Sequence, residues 1–189
     1  MLADAFEVAM GAGAASAEVY WAPGGSRAAD IEMPHGVAAR HQRGADLGGR
    51  LASAFTELLS DPSDRAVVIG ADCPDLDPAV IRQAFAALDG HDLVLGPARD
   101  GGYYLIGLRR PSPSLFEAVS WGTDRVLSET LERAASAGLG VETLQVLDDI
   151  DTPEDLVRFV ARRSVSAPGP GRRTETALEE LGLLPPRDR

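Results

Sequence analysis

The chain has 189 residues, 44% hydrophobic and 25% charged, with a formal net charge of −11. These are the proportions of an ordinary globular chain with room for a sizeable core, and the acidic balance argues against a general nucleic-acid or anionic-membrane surface. There is no lysine, so a catalytic lysine is excluded and any phosphate contact falls to arginine, backbone amides or a metal.

Cys73 is the single cysteine, which excludes an intrachain disulfide. No run approaches the ~18 consecutive apolar residues of a membrane span. The opening MLADAFEVAM carries acids where a signal peptide has basic residues, and a cytoplasmic protein is expected.

In chain order, residues 2–12 have helical spacing of Leu2, Ala5, Phe6, Ala9 and Met10. AEVYWA (17–22) reads as a short strand and residues 23–45 as loop. Leu47, Leu51, Phe55, Leu58 and Leu59 then mark a helix with Asp46 as its N-cap. RAVVIGAD is a continuous apolar run suited to a strand buried on both faces, and Asp77-Pro78 opens the helix 78–89. HDLVLGPA and YYLIGL are strands separated by the turn Arg99-Asp100-Gly101-Gly102.

A helix over 123–137 and a strand over 141–147 follow. Thr152-Pro153-Glu154-Asp155 has the cap, first-turn proline and first-turn acids of a last core helix. Residues 164–173 read as linker and 176–184 as a short accessory helix, giving a core domain over 1–163 and an appendage over 164–189. Strands alternating with helices predict an α/β layered domain with a mostly parallel sheet, in which ligands bind beyond the carboxyl ends of strands.

Three acidic stretches lie at such ends. Asp72 sits where the chain leaves RAVVIGAD; turn chemistry and metal ligation are both open to it, whereas Asp77 is a helix cap. Asp149 and Asp151, in LDDIDTPEDL, fall on one side of an extended backbone and repel unless a cation lies beside them. Mg2+ or Mn2+ suits such oxygen ligands. Helix-dipole compensation accounts for Glu154 and Asp155 but poorly for Asp149 and Asp151.

In GPARDGGYYLIGL, a hairpin turn is the simpler reading of Arg99–Gly102, although Arg99 and Asp100 are also placed to meet a substrate and Asp100 to accept a proton. Thr123 suits an N-cap, and Trp121 either packs on the core or walls a sugar site. His35, His41 and His91 lack zinc spacing. Cys73 reads as a small buried thiol.

GADCPDL, GPARDGGYYLIGL, WGTDRVLSETL and DDIDTPEDL, in this order, resemble the GT-A-like transferases of the radical-SAM/selenodomain-associated or arsenosugar-biosynthesis glycosyltransferase family. More distantly they are similar to the molybdenum-cofactor and phospholactate guanylyltransferases. The resemblance covers about residues 1–160. It implies a Rossmann-like GT-A three-layer sandwich that moves a glycosyl group from a nucleotide-diphospho-sugar to a small acceptor. A nucleotidyltransferase using a nucleoside triphosphate is the alternative.

It further implies Asp72, Asp149 and Asp151 as ligands of a divalent cation and Asp100 as the group that orients or deprotonates the acceptor. Arg99, Gly101, Gly102, Tyr103, Trp121 and Thr123 would then line the substrate pocket, with Gly44, Asp46 and Arg50 near the nucleotide. Relatives begin with a strand and a glycine-containing basic loop that cradles the nucleotide; here Met1 falls within the helix that follows. The expectation is of an N-terminally truncated relative, missing an innermost strand between AEVYWA and RAVVIGAD. A start assigned too late or a shortened chain is the preferred explanation over a degenerate remnant. If Met1 is the true start, nucleotide binding is expected to be weak or absent, and a homodimer could cover the bare edges.

Overall fold

A computed structural model describes residues 1–22, 33–165 and 169–185. The helices are α1 (Leu2–Gly11), α2 (Leu47–Leu58), α3 (Pro78–Ala87), α4 (Val126–Ser136), α5 (Pro153–Arg163) and α6 (Arg172–Glu180). The strands are β1 (Ala17–Trp21), β2 (Val37–His41), β3 (Ala66–Ile69), β4 (Leu93–Pro97), β5 (Tyr103–Leu108) and β6 (Val141–Thr143).

Local capping sets three of the helix starts. The Asp46 carboxylate accepts from the Gly49 amide at 2.8 Å and that of Asp77 from the Ala79 amide at 2.7 Å, each satisfying an orphan donor of a first turn. Thr152 and Asp155 close a reciprocal capping box on α5. Helix α4 begins later than the spacing predicts, at Val126, with Arg125 at its N-cap position. The Thr123 hydroxyl only braces that approach, accepting from the Arg125 amide at 3.3 Å. Residues 37–41, expected as loop, form β2.

The sheet corrects the expectation of mostly parallel order. Four strands run in the order β3-β5-β4-β6, and β5 is antiparallel to both β3 and β4. The connection from Pro97 to Tyr103 is a hairpin turn, and a parallel pair would need a crossover of a dozen or more residues. Because β3 and β4 both oppose β5, and β6 runs parallel to β4, the three strands β3, β4 and β6 point the same way. Their carboxyl ends share one edge of the sheet, and the site is built there.

Alternating side chains divide the core between two faces. Val94 and Leu105 pack with Val8, Val80, Ile81 and Ala84 of α1 and α3. Leu93, Leu95, Ile106 and Leu108 pack with Leu51, Phe55, Phe116 and Ala134 on the other face. There the Phe55 and Phe116 rings stack at 5.9 Å between centroids. Helices on both faces of a central sheet give a three-layer α/β fold.

Strands β1 and β2 form a separate parallel pair, not hydrogen-bonded to the larger sheet. Every residue of β1 and of β3 lines a single cavity of about 1160 Å³. Strand β3 is therefore not enclosed on the side facing β1: Val67, Val68 and Ile69 are only half-buried, while all of β4 is buried. The apolar run was suited to an interior strand, and one of its edges borders the cavity instead. No helix among the described residues is long and apolar enough to cross a membrane.

Candidate active site

Asp72 leaves the end of β3, Asp100 occupies the β4–β5 turn, and Asp149 and Asp151 follow β6; all four line the cavity. Backbone hydrogen bonds stitch these loops together. The Ile150 amide donates to the Asp72 carbonyl at 3.0 Å, and Leu147 exchanges bonds of 3.1 Å with the Pro97 carbonyl and the Arg99 amide. The turn is fixed internally as well, because the Asp100 carboxylate accepts from the Gly102 amide at 2.8 Å.

Asp100, Asp149 and Asp151 each offer a carboxylate oxygen within 4.8 Å of the others, the one such metal-capable group among the described residues. Asp72 lies outside that triplet but close enough for its charge to act on it. Burial, then Asp100, Asp151 and Asp72, push the Asp149 carboxyl up to about 6. Burial, Asp72, Asp100 and Asp155 raise Asp151 in the same direction. Four carboxylates so arranged repel one another, and an all-oxygen donor set without histidine or thiolate fits a hard divalent cation.

Around these acids, Trp121 lines the cavity and meets Tyr103 edge-on at 6.5 Å. Burial raises the Tyr103 hydroxyl, which keeps it neutral. Gly102, Tyr103 and Thr123 also line the cavity, and the Thr123 hydroxyl donates to the Ser120 carbonyl at 2.7 Å. Arg99 and Gly101 are absent from the lining: the Arg99 guanidinium is engaged by Asp148, and the Gly101 carbonyl accepts from the Leu127 amide at 2.9 Å.

None of Gly44, Asp46 and Arg50 lines the cavity; their neighbours Gln42 and Leu47 do. Asp46 is occupied as the cap of α2, and Arg50 donates to the Gln42 side chain at 3.4 Å. Cys73 is buried, and burial together with Asp75 and Asp72 pushes its thiol up to about 12, far from a nucleophile's range.

Sequence reasoning missed the arginine–carboxylate contacts behind the acids, in which Asp148 joins Arg99 to Arg162 and Asp75 joins Arg162 to Arg163. The Asp148-Asp149 doublet was a signal, since two adjacent acids face different surroundings.

Residues 5–123 match the family described as "Uncharacterized protein conserved in bacteria (DUF2064)". The chain belongs to that family. A curated relative of this DUF2064 chain, 29% identical over 126 residues, is the "Probable molybdenum cofactor guanylyltransferase" of Natronomonas pharaonis. The alignment takes in 61% of each protein, so the DUF2064 chain spans under two thirds of that relative's length.

Among solved structures, a "putative nucleotide-diphospho-sugar transferase" from Desulfovibrio desulfuricans G20 superposes with a TM-score of 0.78 at 29% identity, covering 96% of this chain and 83% of the other. Rv0371c from Mycobacterium tuberculosis H37Rv, solved as a complex with manganese, gives a TM-score of 0.61 at 19% identity and 85% coverage of both. The DUF2064 chain thus has the GT-A-like α/β fold of the nucleotide-diphospho-sugar transferase superfamily. CMP:2-keto-3-deoxy-manno-octonic acid synthetase complexed with CTP, with a TM-score of 0.51 at 15% identity and 86% coverage of both, shares the fold.

Proposed function

We propose that this protein is a divalent-cation-dependent nucleotidyltransferase. A phosphate oxygen of a small acceptor would attack the α-phosphorus of a nucleoside triphosphate, and the bond to the β-phosphate would break to release pyrophosphate. The convergence of Asp100, Asp149 and Asp151 beside a cavity of about 1160 Å³ carries the reading. Carboxylates repel phosphates unless a cation stands between them. This chain has no lysine, and the cavity-lining arginines among the described residues, Arg65 and Arg82, are engaged by Asp89 and by the Gly11 carbonyl.

Asp100, Asp149 and Asp151 would hold Mg2+ or Mn2+, with Asp72 as a nearby anionic partner. The bound cation would supply charge neutralisation at the phosphates. Trp121 offers an aromatic wall in the same cavity, suited to a base or a sugar. The guanylyltransferase relative and the manganese complex of Rv0371c support nucleotide and cation chemistry.

Glycosyl transfer from a nucleotide-diphospho-sugar is the second reading. The Desulfovibrio structure, described as such a transferase, favours it, as does the resemblance to the radical-SAM-associated family. Asp100 would then face the acceptor. Product analysis separates the two. Purified protein would be incubated with Mn2+, a small-molecule extract as acceptor source, and either GTP and CTP or UDP- and GDP-sugars. Pyrophosphate above the extract-only background supports nucleotidyl transfer, and free nucleoside diphosphate from a nucleotide sugar supports glycosyl transfer. Calorimetry showing no heat with any nucleotide and Mn2+ would sink both.

A further inference from the structure

We propose that Arg162 is a positioning residue for the carboxylate site, acting through Asp148 and Asp75. Near the end of α5, its Nη1 donates to Asp148 at 2.6 Å while its Nη2 pairs with Asp75. Asp148 also takes the Arg99 Nε on its other oxygen. Asp75 takes Arg163 at 2.5 Å, and Arg163 meets Glu175 of α6 at 3.2 Å. The result is an alternating row, Arg99–Asp148–Arg162–Asp75–Arg163–Glu175.

Each loop that supplies an acid to the cavity also supplies a member of this row. Arg99 precedes Asp100, Asp148 precedes Asp149, and Asp75 lies three residues past Asp72. Asp75, Asp148 and Arg162 line a smaller, separate recess and not the main cavity, so they act on the carboxylates from behind. An exposed ion pair alone is worth little. Here, however, Arg163 and Glu175 are only 6% and 7% exposed at their side chains and fasten the row to α5 and α6. A planar guanidinium bridges two carboxylates in a fixed geometry that an ammonium does not reproduce. Partners hydrogen-bonded directly to metal ligands govern affinity by ~10–100-fold; Arg162 acts through residues adjoining the ligands, which places its effect at the low end of that range.

The proposal rests on Asp100, Asp149 and Asp151 being cation ligands, and the sign of one effect separates it from a plain charge effect. If Arg162 were only a nearby positive charge, its removal would make the site more negative and tighten cation binding. As a clamp, its removal loosens the loops and weakens binding.

Mn2+ titration of the full chain, followed by electron paramagnetic resonance of the free ion, reads this directly. Arg162→Met is expected to weaken Mn2+ binding about tenfold. Arg162→Lys, which keeps the charge but not the bridging geometry, should also weaken it, but less. Urea unfolding of each variant confirms that the measured protein is folded. Binding by Arg162→Lys as tight as the wild type's, or tighter binding by a folded Arg162→Met, overturns the clamp while leaving the cation site standing. A wild-type protein that binds no Mn2+ overturns both.

Discussion

Asp100 and Asp149 lie on loops that leave different strands, yet each offers a carboxylate oxygen within 4.8 Å of the other's. Two like charges at that separation, one of them half-buried, are a standing cost to the folded state. Asp149→Asn should therefore stabilise the metal-free protein at neutral pH. The gain is about 1 kcal/mol or less once solvent screening is allowed for, a rise in Tm of no more than about 4 °C for a chain of this size. The same change should abolish the rise in Tm produced by millimolar Mn2+. Thermal scans of both proteins with and without Mn2+ check the two outcomes together, and a variant that is both less stable and still stabilised by Mn2+ would contradict them.

Asp149 also sets a pH window. Its carboxyl is raised by burial and by Asp100, Asp151 and Asp72 to about 6 in the folded chain, above the ~3.9 of an unfolded aspartate. A group raised in this way contributes stability fully present below about pH 4 and lost as pH rises through about 6. Cation binding needs the ionised form, so it has the opposite dependence, full above about pH 7 and weakening as pH falls through about 6. The Tm difference between wild type and Asp149→Asn, taken across pH 4 to 8, should widen with rising pH without Mn2+ and reverse in sign with it. Taking the difference cancels the contribution of Asp148, whose carboxyl is pushed up by burial but held low on balance by Arg99 and Arg162.

How far the sequence disclosed all this depended on whether a signal was local. The Asp46, Asp77 and Thr152 caps were legible because a cap and its amide lie within three residues. Strand β2 was not, since four of its five residues are exposed and an edge strand needs no apolar alternation. The antiparallel β5 was implicit in the short turn before it. Asp72, Asp100, Asp149 and Asp151 stood out as acids at strand ends, where burial within the strand would have excluded them. That Asp100 rather than Asp72 completes the close triplet depends on how the β4–β5 turn folds against the 148–152 segment. The Arg162 contacts join residues 14 and 87 positions apart; in the sequence Arg162 is one more basic residue in the last turn of a helix.

Asp4 shows the same long-range character. This residue of α1 is 3% exposed and caps a helix at the other end of the chain. Its oxygens accept from the Arg173 amide at 2.8 Å, the Thr174 amide at 3.0 Å and the Thr174 hydroxyl at 2.6 Å, while α6 has no side-chain cap of its own. Asp4→Ala removes the shared acceptor of the Arg173 and Thr174 donors, and we expect a loss of about 2–3 kcal/mol in urea unfolding. Amide exchange should localise the change, with protection falling first in α6. An unaltered α6 would mean that its burial of Leu178, with Phe159 and Leu184, holds it without the cap.

Gly101 joins backbone geometry to the site most directly. Its φ is +95°, and a Cβ there would lie 2.2 Å from the Asp124 carbonyl oxygen and 2.6 Å from its Cα, both backbone atoms. Gly101→Ala adds conformational strain to an overlap that only movement of the turn relieves, for about 2–4 kcal/mol in all. Because Asp100 is the adjacent residue, the same movement should carry its carboxylate away from Asp149 and Asp151 and reduce Mn2+ affinity. Gly138 provides the comparison, with φ +66° and nothing within 4 Å of an added Cβ. Gly138→Ala should cost only about 1 kcal/mol of strain and leave Mn2+ affinity unchanged. Urea unfolding and Mn2+ titration of the two variants side by side check this, and equal losses at both positions would show that strain alone, not displacement of the turn, governs the site.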